Sequence, residues 1–404
     1  MHKKTVAIIG GGAAGYFCAA NIERNLYHIL ILEQGNDVLQ KVKISGGGRC
    51  NVTHACFDPR ELVQFYPRGN RELLSVFTKF QPGDTMEWFV KHDVSLKIEE
   101  DGRVFPESNS SKSIITALRN AAEEQNTELH TKTPVKNIIL KDNTYLIEAG
   151  NISLEADFIV FTTGSSPKSF QLLASLDHSI VPPVPSLFTF SINDRLLEGL
   201  SGTSFPNAEI NIPGLKAQES GALLITHWGL SGPAVLKISA WEARTLAALE
   251  YQFDIRINFI GKTIYEAEAL FMEYRENHPK KTITQSRIFD VTGRFWNRVL
   301  ELAKILPDKS ISNISSKELK SLLRILCEKD FHVNGKSTFK DEFVTAGGVE
   351  LKEINFKNMA SRKLPNFYIA GEVLNIDAVT GGFNFQACWS EAFLIAQDLN
   401  TKTF

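Results

Sequence analysis

Apolar positions along this chain fall into two periods, and the first forty residues show both. Residues 5–9 (TVAII) are a short, partly β-branched apolar run that reads as a buried strand. Small and apolar residues at helical spacing follow over 13–24. A second apolar run, 28–32, ends on Glu33. Strand, helix, strand is a βαβ unit. The pattern then predicts helices over 58–66, 71–80 and 85–92, with Pro82-Gly83 as a break between the last two. Short strands over 94–98 and 103–105 flank the turn Glu100-Asp101-Gly102. An amphipathic helix over 110–125 has Ser110 or Ser111 as its cap. Alternating runs at 135–140, 145–149 and 152–154 make a small antiparallel sheet, with turn chemistry at Asp142-Asn143 and Gly150-Asn151. Residues 158–161 (FIVF) are apolar throughout, so that strand is buried on both faces.

The stiff sequence Pro182-Pro183-Val184-Pro185 marks a domain boundary. Beyond it, strands are expected over 187–192, 208–212, 222–226 and 251–259, with a helix over 234–244. Residues 263–329 read as three helical runs broken near Pro279 and Pro307, and 331–349 as short extended segments. The α/β pattern returns at the end, with a strand over 366–370 and a last helix over 386–399.

Glycines turn this pattern into chemistry. Gly10, Gly12 and Gly15 form G-x-G-x-x-G between the first strand and its helix, around Ala13 and Ala14. Gly10 allows the tight turn, Gly12 lets a pyrophosphate approach the backbone, and Gly15 lets helix and strand pack closely. The helix N-terminus favours the phosphate charge. Glu33, followed by Gln34, is placed to accept from ribose hydroxyls. The expected fold is therefore α/β, with a Rossmann-like FAD-binding domain built from both chain ends, 1–186 and 343–404. A β-rich domain, 187–262 with 331–342, and a helical subdomain, 263–330, are inserted. The fingerprint occurs once, where an enzyme with separate flavin and nicotinamide domains would show two, so tightly bound FAD is the expected cofactor.

Other stretches suit the same ligand. The loop Ser45-Gly46-Gly47-Gly48-Arg49-Cys50-Asn51, preceded by Lys43, exposes N–H groups that suit a phosphate or a polar ring edge, or is a flexible surface loop. The strand 158–161 leads into Thr163-Gly164, a backbone pass beside a cofactor. Gly371-Glu372 follows the last strand and places an acid near a ribityl chain. The turn Gly381-Gly382, leading into Phe383, Asn384 and Phe385, aims a helix N-terminus at the flavin's pyrimidine edge, or is an ordinary turn.

Composition narrows the field. With 404 residues the chain is long enough for two or three domains. Its 44 basic residues nearly balance 46 acidic ones, which argues against a nucleic-acid footprint, although a local patch can hide in such a balance. No apolar run reaches membrane-span length, and the glycine fingerprint marks the N-terminal apolar run as a mature strand rather than a signal peptide. Five widely spaced cysteines without C-x-x-C fit a reducing cytoplasm, and neither thiol redox work nor a metal site is expected. His227 and Ser231, in Thr226-His227-Trp228-Gly229-Leu230-Ser231, are candidates for proton transfer or substrate binding, against a purely structural glycine-rich turn.

These pieces resemble the BaiN-like (YhiN-type) family of FAD-dependent oxidoreductases, also described as aminoacetone-oxidase-type flavoproteins. The matching stretches are GGGAAG at 10–15, SGGGRCN at 45–51, DGRVFP at 101–106, THWGLSGPAVL at 226–236, TAGGVEL at 345–351 and AGEVLNIDAVTGGFNFQACWSEA at 370–392. The resemblance implies FAD contacts at the first glycine motif, Glu33, Gly46–Asn51, the Val135 backbone, Thr163-Gly164, Gly371 and Gly382–Phe385. It also implies an NAD(P)H-linked redox role, with one branch acting on ring-unsaturated, steroid-type substrates. Where the family has Asp-Val-Asp-Gly, this chain has Asn375-Ile376-Asp377-Ala378, so position 375 has no acid to protonate a substrate. The expected protein is a cytoplasmic FAD-dependent oxidoreductase. It would pass hydride from NAD(P)H through flavin N5 to a small organic acceptor held between the FAD domain and the insertion. A flavin oxidase using oxygen, an FAD-dependent RNA-modifying protein and a non-catalytic flavin-binding regulator are the alternatives. No membrane partner is expected, and oligomeric state is not legible.

Overall fold

The computed structural model describes residues 3–337 and 344–403. The chain divides into two compact units, Met1–Val184 with Lys340–Phe404, and Pro185–Phe339. The boundary expected at 342/343 lies outside the described residues.

In the first unit the N-terminal strand Lys4–Ile9 sits inside a seven-stranded sheet, with Val6, Ala7 and Ile8 fully buried. The sheet order is Ile354–Asn355, Ala360–Ser361, Phe367–Ile369, Phe158–Phe161, Lys4–Ile9, Tyr27–Leu32, Glu128–His130. The last five of these are parallel, and the first two are antiparallel additions at one edge. A parallel strand buried on both faces needs helices above and below it. The glycine helix Ala13–Asn21 answers that need, with residues from Ala14 to Ala20 all buried and the helices Ser111–Glu124 and Phe383–Asn400 against it. Phe17 is the hub, its ring centroid 4.7 Å from that of Trp88 and 5.2 Å from that of Trp389.

Register decides where a ligand can sit. Ile9 pairs with Phe161, and Phe161 with Ile369, so three neighbouring strands end level with one another. The turns that follow, at Gly10, Thr163-Gly164 and Gly371, therefore open side by side at the carboxyl end of the sheet, where open α/β sheets bind ligands.

Several local expectations shift. Two helices stand apart as expected, Asn70–Phe77 and Pro82–Lys91, but Pro82-Gly83 belongs to the start of the second, because proline at the first position gives up an N–H that has no helical partner. Asp84 closes that start by accepting from the Gln81 N–H at 2.8 Å. The last helix begins at Phe383, three residues before the expected start, because Gly382 reverses the chain at φ +92°. Part of the polar stretch after Glu33 is helical, over Gln40–Gly48, with a break at Ser45, Gly46 and Gly47. The proline connector is itself a strand, Ile180–Ser186, paired with Val344–Val349, where missing N–H groups cost little on a sheet edge.

The second unit is built on a closed barrel, in the order Thr189–Ser191, Gly229–Ser231, Ala217–Ile225, Ser204–Ile212, Gln252–Asn258, Lys329–Ser337. Strict alternation along Gln252–Asn258 sends Phe253, Ile255 and Ile257 inward. Three helices, Ile264–Asn277, Gly293–Leu302 and Ser316–Cys327, belong to this unit.

Candidate functional site

Gly10, Gly12 and Gly15 differ in what the protein itself asks of them. Gly10 has φ +108°, and a Cβ there would lie 2.6 Å from the Thr162 carbonyl oxygen, so the turn and the neighbouring strand both exclude a side chain. A Cβ on Gly15 would lie 2.1 Å from the Gly10 carbonyl oxygen, which is the close helix–strand contact expected from the motif. Gly12 is in ordinary extended backbone (φ −86°), and a Cβ there would meet nothing within 4 Å. Its bareness serves no internal contact. No side chain caps the helix that starts here, and its first turn holds no acid. Free N–H groups at the start of the helix and open space at Gly12 are what a pyrophosphate requires.

Glu33 stands at the end of the second strand, as expected, but its oxygens already accept from the Gly11 N–H at 2.8 Å and the Gly35 N–H at 2.7 Å. A carboxylate has further lone pairs for ribose hydroxyls. The Glu33 carbonyl accepts from the Thr133 N–H at 2.8 Å, which brings the chain leading to Val135 alongside it. Gln34 is exposed beside them.

The triple-glycine loop lies in left-handed backbone, with Gly46, Gly47 and Gly48 at φ +57°, +68° and +83°. Gly47 and Gly48 face open space. Side chains in this segment turn out to be engaged elsewhere. The Arg49 guanidinium lies 3.9 Å over the Phe105 ring and donates to Glu99 at 2.7 Å. The Lys43 side chain is exposed, and its carbonyl accepts from the Ser111 hydroxyl. Cys50 is fully buried, and burial pushes its thiol up to about 12. Asn51 is buried too, with its Oδ1 lacking any hydrogen-bond partner. That orphan oxygen is 2.8 Å from where a Cβ on Gly382 would be. A buried acceptor left unpaired beside a bare glycine fits the N–H-bearing edge of a flavin ring.

Gly382 begins the closing helix without a side-chain cap and without an acid in the first turn. The next three side chains are used for packing. Phe383 stacks on Phe65 (4.3 Å, 11°) and on His54 (4.6 Å, 24°). Asn384 both accepts from and donates to the Ala378 backbone, and Phe385 stacks on Trp389. What this turn offers a ligand is therefore backbone N–H groups and the positive helix end.

After the strand Phe158–Phe161, Gly164 lies open, with no atom within 4 Å of a Cβ placed on it, while the Thr163 backbone lies against Gly10. Gly371 is in left-handed backbone (φ +82°) with Ala14 close by. Its N–H donates to Glu391 at 2.6 Å. Glu372 accepts from the Thr345 N–H at 3.1 Å and pairs with the Lys41 ammonium. Lys41, Glu391 and His54 escaped the sequence reading. Only Lys41 left a usable signal, one helical turn before Ser45. His54 has a buried, unpartnered Nδ1, and burial lowers its pKa.

His227 and Ser231 lie in the other unit. His227 is exposed beside a cleft of about 330 Å³ that Asp194, Glu198 and Ser201 help to line. The Ser231 hydroxyl accepts instead from the Thr189 hydroxyl at 3.0 Å, and no hydrogen bond joins it to His227 among the described residues. In the same residues no group of three or more His, Cys, Asp or Glu can hold a metal ion, and no helix is long and apolar enough to cross a membrane. Thiol-specific reagent on the native protein is expected to label half-buried Cys56 first and leave Cys18 and Cys50 silent until unfolding. Fast labelling of Cys50 would contradict the packing around it.

Known proteins are similar to this chain along nearly its whole length. The chain is 27% identical over 413 positions to a protein of Escherichia coli (strain K12) named ribosomal RNA dihydrouridine synthase, covering 99% of this chain and 98% of that one. It is 24% identical to the 3-dehydro-bile acid delta(4,6)-reductase of Clostridium scindens, covering 96% and 97%. Among solved structures, 3-ketosteroid delta1-dehydrogenase from Sterolibacterium denitrificans shares the fold, with a TM-score of 0.51 at 11% identity over 98% of this chain and 100% of that one. The family supports an FAD-dependent oxidoreductase. The model described as HI0933-like protein Rossmann domain matches residues 4–398, and the chain belongs to that family.

Proposed function

We propose that this protein is an FAD-dependent reductase that uses NAD(P)H to saturate a carbon–carbon double bond conjugated to a carbonyl group. The observations that support the reading are bare Gly12 and open Gly164 after strands that end level with one another, and the uncapped helix at Gly382 beside the orphaned Asn51 oxygen. FAD held there would supply a two-electron relay between a nicotinamide and an organic acceptor. The chain's own part is to bind and to bias. Backbone N–H groups at Ala13 and Ala14 hold the pyrophosphate, and Glu33 holds a ribose. The positive end of Phe383–Asn400 favours negative charge at the ring edge, and Asn51 accepts an N–H there.

The acceptor class rests on the relatives' names. A uracil ring reduced to dihydrouridine and a bile-acid ring reduced at delta(4,6) both present an alkene in conjugation with a carbonyl. On this reading, saturating such an alkene would put a hydride on a carbon remote from the carbonyl and a proton on a second carbon of the conjugated system, with NAD(P)H leaving as NAD(P)⁺.

An anaerobic absorbance spectrum before and after NADH or NADPH tests the reading. The purified protein is expected to be yellow, to bleach within seconds, and to recover its colour when a conjugated enone or a uracil-containing RNA is added. A yellow protein that neither donor bleaches would remove the nicotinamide-linked reading. A colourless protein that takes up no added FAD would remove the site itself.

A further inference from the structure

The near-zero charge of the whole chain conceals a strong local excess. Residues 278–324 hold ten Lys or Arg against four Asp or Glu, in a chain whose net charge is −2. This segment is one packed body within the second unit. The Ile283 N–H donates to the Lys309 carbonyl at 2.9 Å, the Ile311 N–H to the Lys281 carbonyl at 2.9 Å, and the Trp296 indole to the Ile283 carbonyl at 3.0 Å. Lys309 then joins it to the last helix of the unit, donating to Glu318 at 2.7 Å.

That helix, Ser316–Cys327, is two-faced. Leu319, Leu322, Leu323 and Leu326 are buried. Lys317, Lys320 and Arg324 are exposed, and steps of three and four residues put them in one row. At ~1.5 Å of rise per residue the charges stand about 4.5 and 6 Å apart along the axis. Two of the four acids are already neutralised, Glu318 by Lys309 and Glu301 by Arg298 and Arg195. The three cations of the row form no ion pair among the described residues, and neither do Lys280 and Lys281, both exposed on the adjoining turn. Cations left unpaired in a regular row suit a regular polyanion.

We infer that this cationic face, centred on Lys317, Lys320 and Arg324, is a docking surface for the phosphate backbone of a structured RNA. The choice of RNA over other polyanions rests on the reductase reading, in which a uracil ring is one of the two acceptor types. The two units then divide the work, the first holding the redox group and the second gripping a large substrate by its backbone. Specificity for sequence is not asked of these side chains, because phosphate contacts position and do not read bases.

The test uses the FAD-loaded full chain and a uridine-containing RNA hairpin of about 30 nucleotides, followed by fluorescence anisotropy over a range of salt concentrations. The wild-type protein is expected to bind with a steep salt dependence. The variant Lys317→Ala, Lys320→Ala, Arg324→Ala should bind at least tenfold more weakly at moderate salt. Its slope of log affinity against log salt should be shallower by about two to three, since each phosphate contact contributes ~0.7–0.9. Alanine keeps an exposed helical row helical, so thermal midpoint and flavin spectrum should not move. Neutralising Lys132, Lys141 and Lys216, exposed elsewhere, should leave binding unchanged. Unaltered RNA affinity in the triple variant, or wild-type binding to phosphatidylserine vesicles but not to RNA, would overturn the inference. RNA binding that follows the triple variant as described, in a protein that NADH and NADPH fail to bleach, would keep the surface and sink the reductase reading instead.

Discussion

Gly12→Asp gives a protein that folds and melts like the wild type but no longer retains FAD. The separation is expected because Gly12 alone in its motif is free of internal duties. Its φ of −86° is open to any residue, and a Cβ there touches nothing within 4 Å. A carboxylate at that point sits where two phosphate charges belong. At an effective dielectric of about 20, a like charge at ~4 Å costs about 4 kcal/mol. Screening and side-chain movement trim this, and a weakening of at least about 100-fold remains, equal to ~2.7 kcal/mol. Gly15→Val is the contrast. Its Cβ would fall 2.1 Å from the Gly10 carbonyl oxygen, so the helix cannot seat on the strand and both melting temperature and FAD binding collapse. Titration of apo-protein with FAD beside a thermal melt reads both quantities. Full FAD affinity in Gly12→Asp would place the pyrophosphate elsewhere, and a large loss of melting temperature would show that Gly12 has a packing role after all.

The contrast between these two glycines also shows what the sequence could and could not say. The βαβ unit was legible because its signals are local: apolar runs, three glycines and a terminal acid lie within thirty residues. The turns at Thr163-Gly164 and Gly371 were legible for the same reason, each being a glycine just past an apolar strand. That these turns open level with one another follows from the register of Ile9, Phe161 and Ile369, which brings together residues up to 360 positions apart. No local pattern holds that information. Side-chain commitments were hidden likewise. Arg49 looked like an anion ligand in the loop, yet Phe105 and Glu99 take its guanidinium. Phe383 to Phe385 were expected among the FAD contacts without a choice between side chain and backbone, and packing commits their side chains elsewhere. The barrel appeared in sequence as loose strands because its closure joins Thr189–Ser191 to Lys329–Ser337 across an intervening helical segment. The cationic face was masked by averaging. A charge balance taken over the whole chain cancels an excess confined to 47 residues.

Glu391 carries the second large expectation, that wild-type stability falls as pH rises from about 5 to 8 and that Glu391→Gln removes this fall. The carboxyl group is wholly buried on the closing helix, where Oε2 accepts from the Gly371 N–H at 2.6 Å and Oε1 has no partner. Burial penalises the charged form and pushes its pKa from 4.5 up to about 8, with the Gly371 hydrogen bond opposing the shift only in part. Between those two values the unfolded chain has released the proton and the folded chain still holds it. Stability therefore declines with rising pH through this window, being fully present below the unfolded pKa and lost on passing the folded one. At ~1.4 kcal/mol per pH unit the upper limit is about 4–5 kcal/mol over the whole interval. In Glu391→Gln the amide oxygen can still accept from Gly371, but its NH₂ replaces an atom with no partner, at a pH-independent cost of about 1–3 kcal/mol. The variant should thus be the less stable protein at pH 5.5 and match or exceed the wild type near pH 8. Urea denaturation of both proteins at half-unit steps follows the difference directly, because every other titrating group is common to the two. Parallel curves that never converge would mean that the folded protein already carries Glu391 as a carboxylate. The turn at Gly371 would then be held by a charge, and the surroundings of Glu391 would be far more polar than their packing indicates.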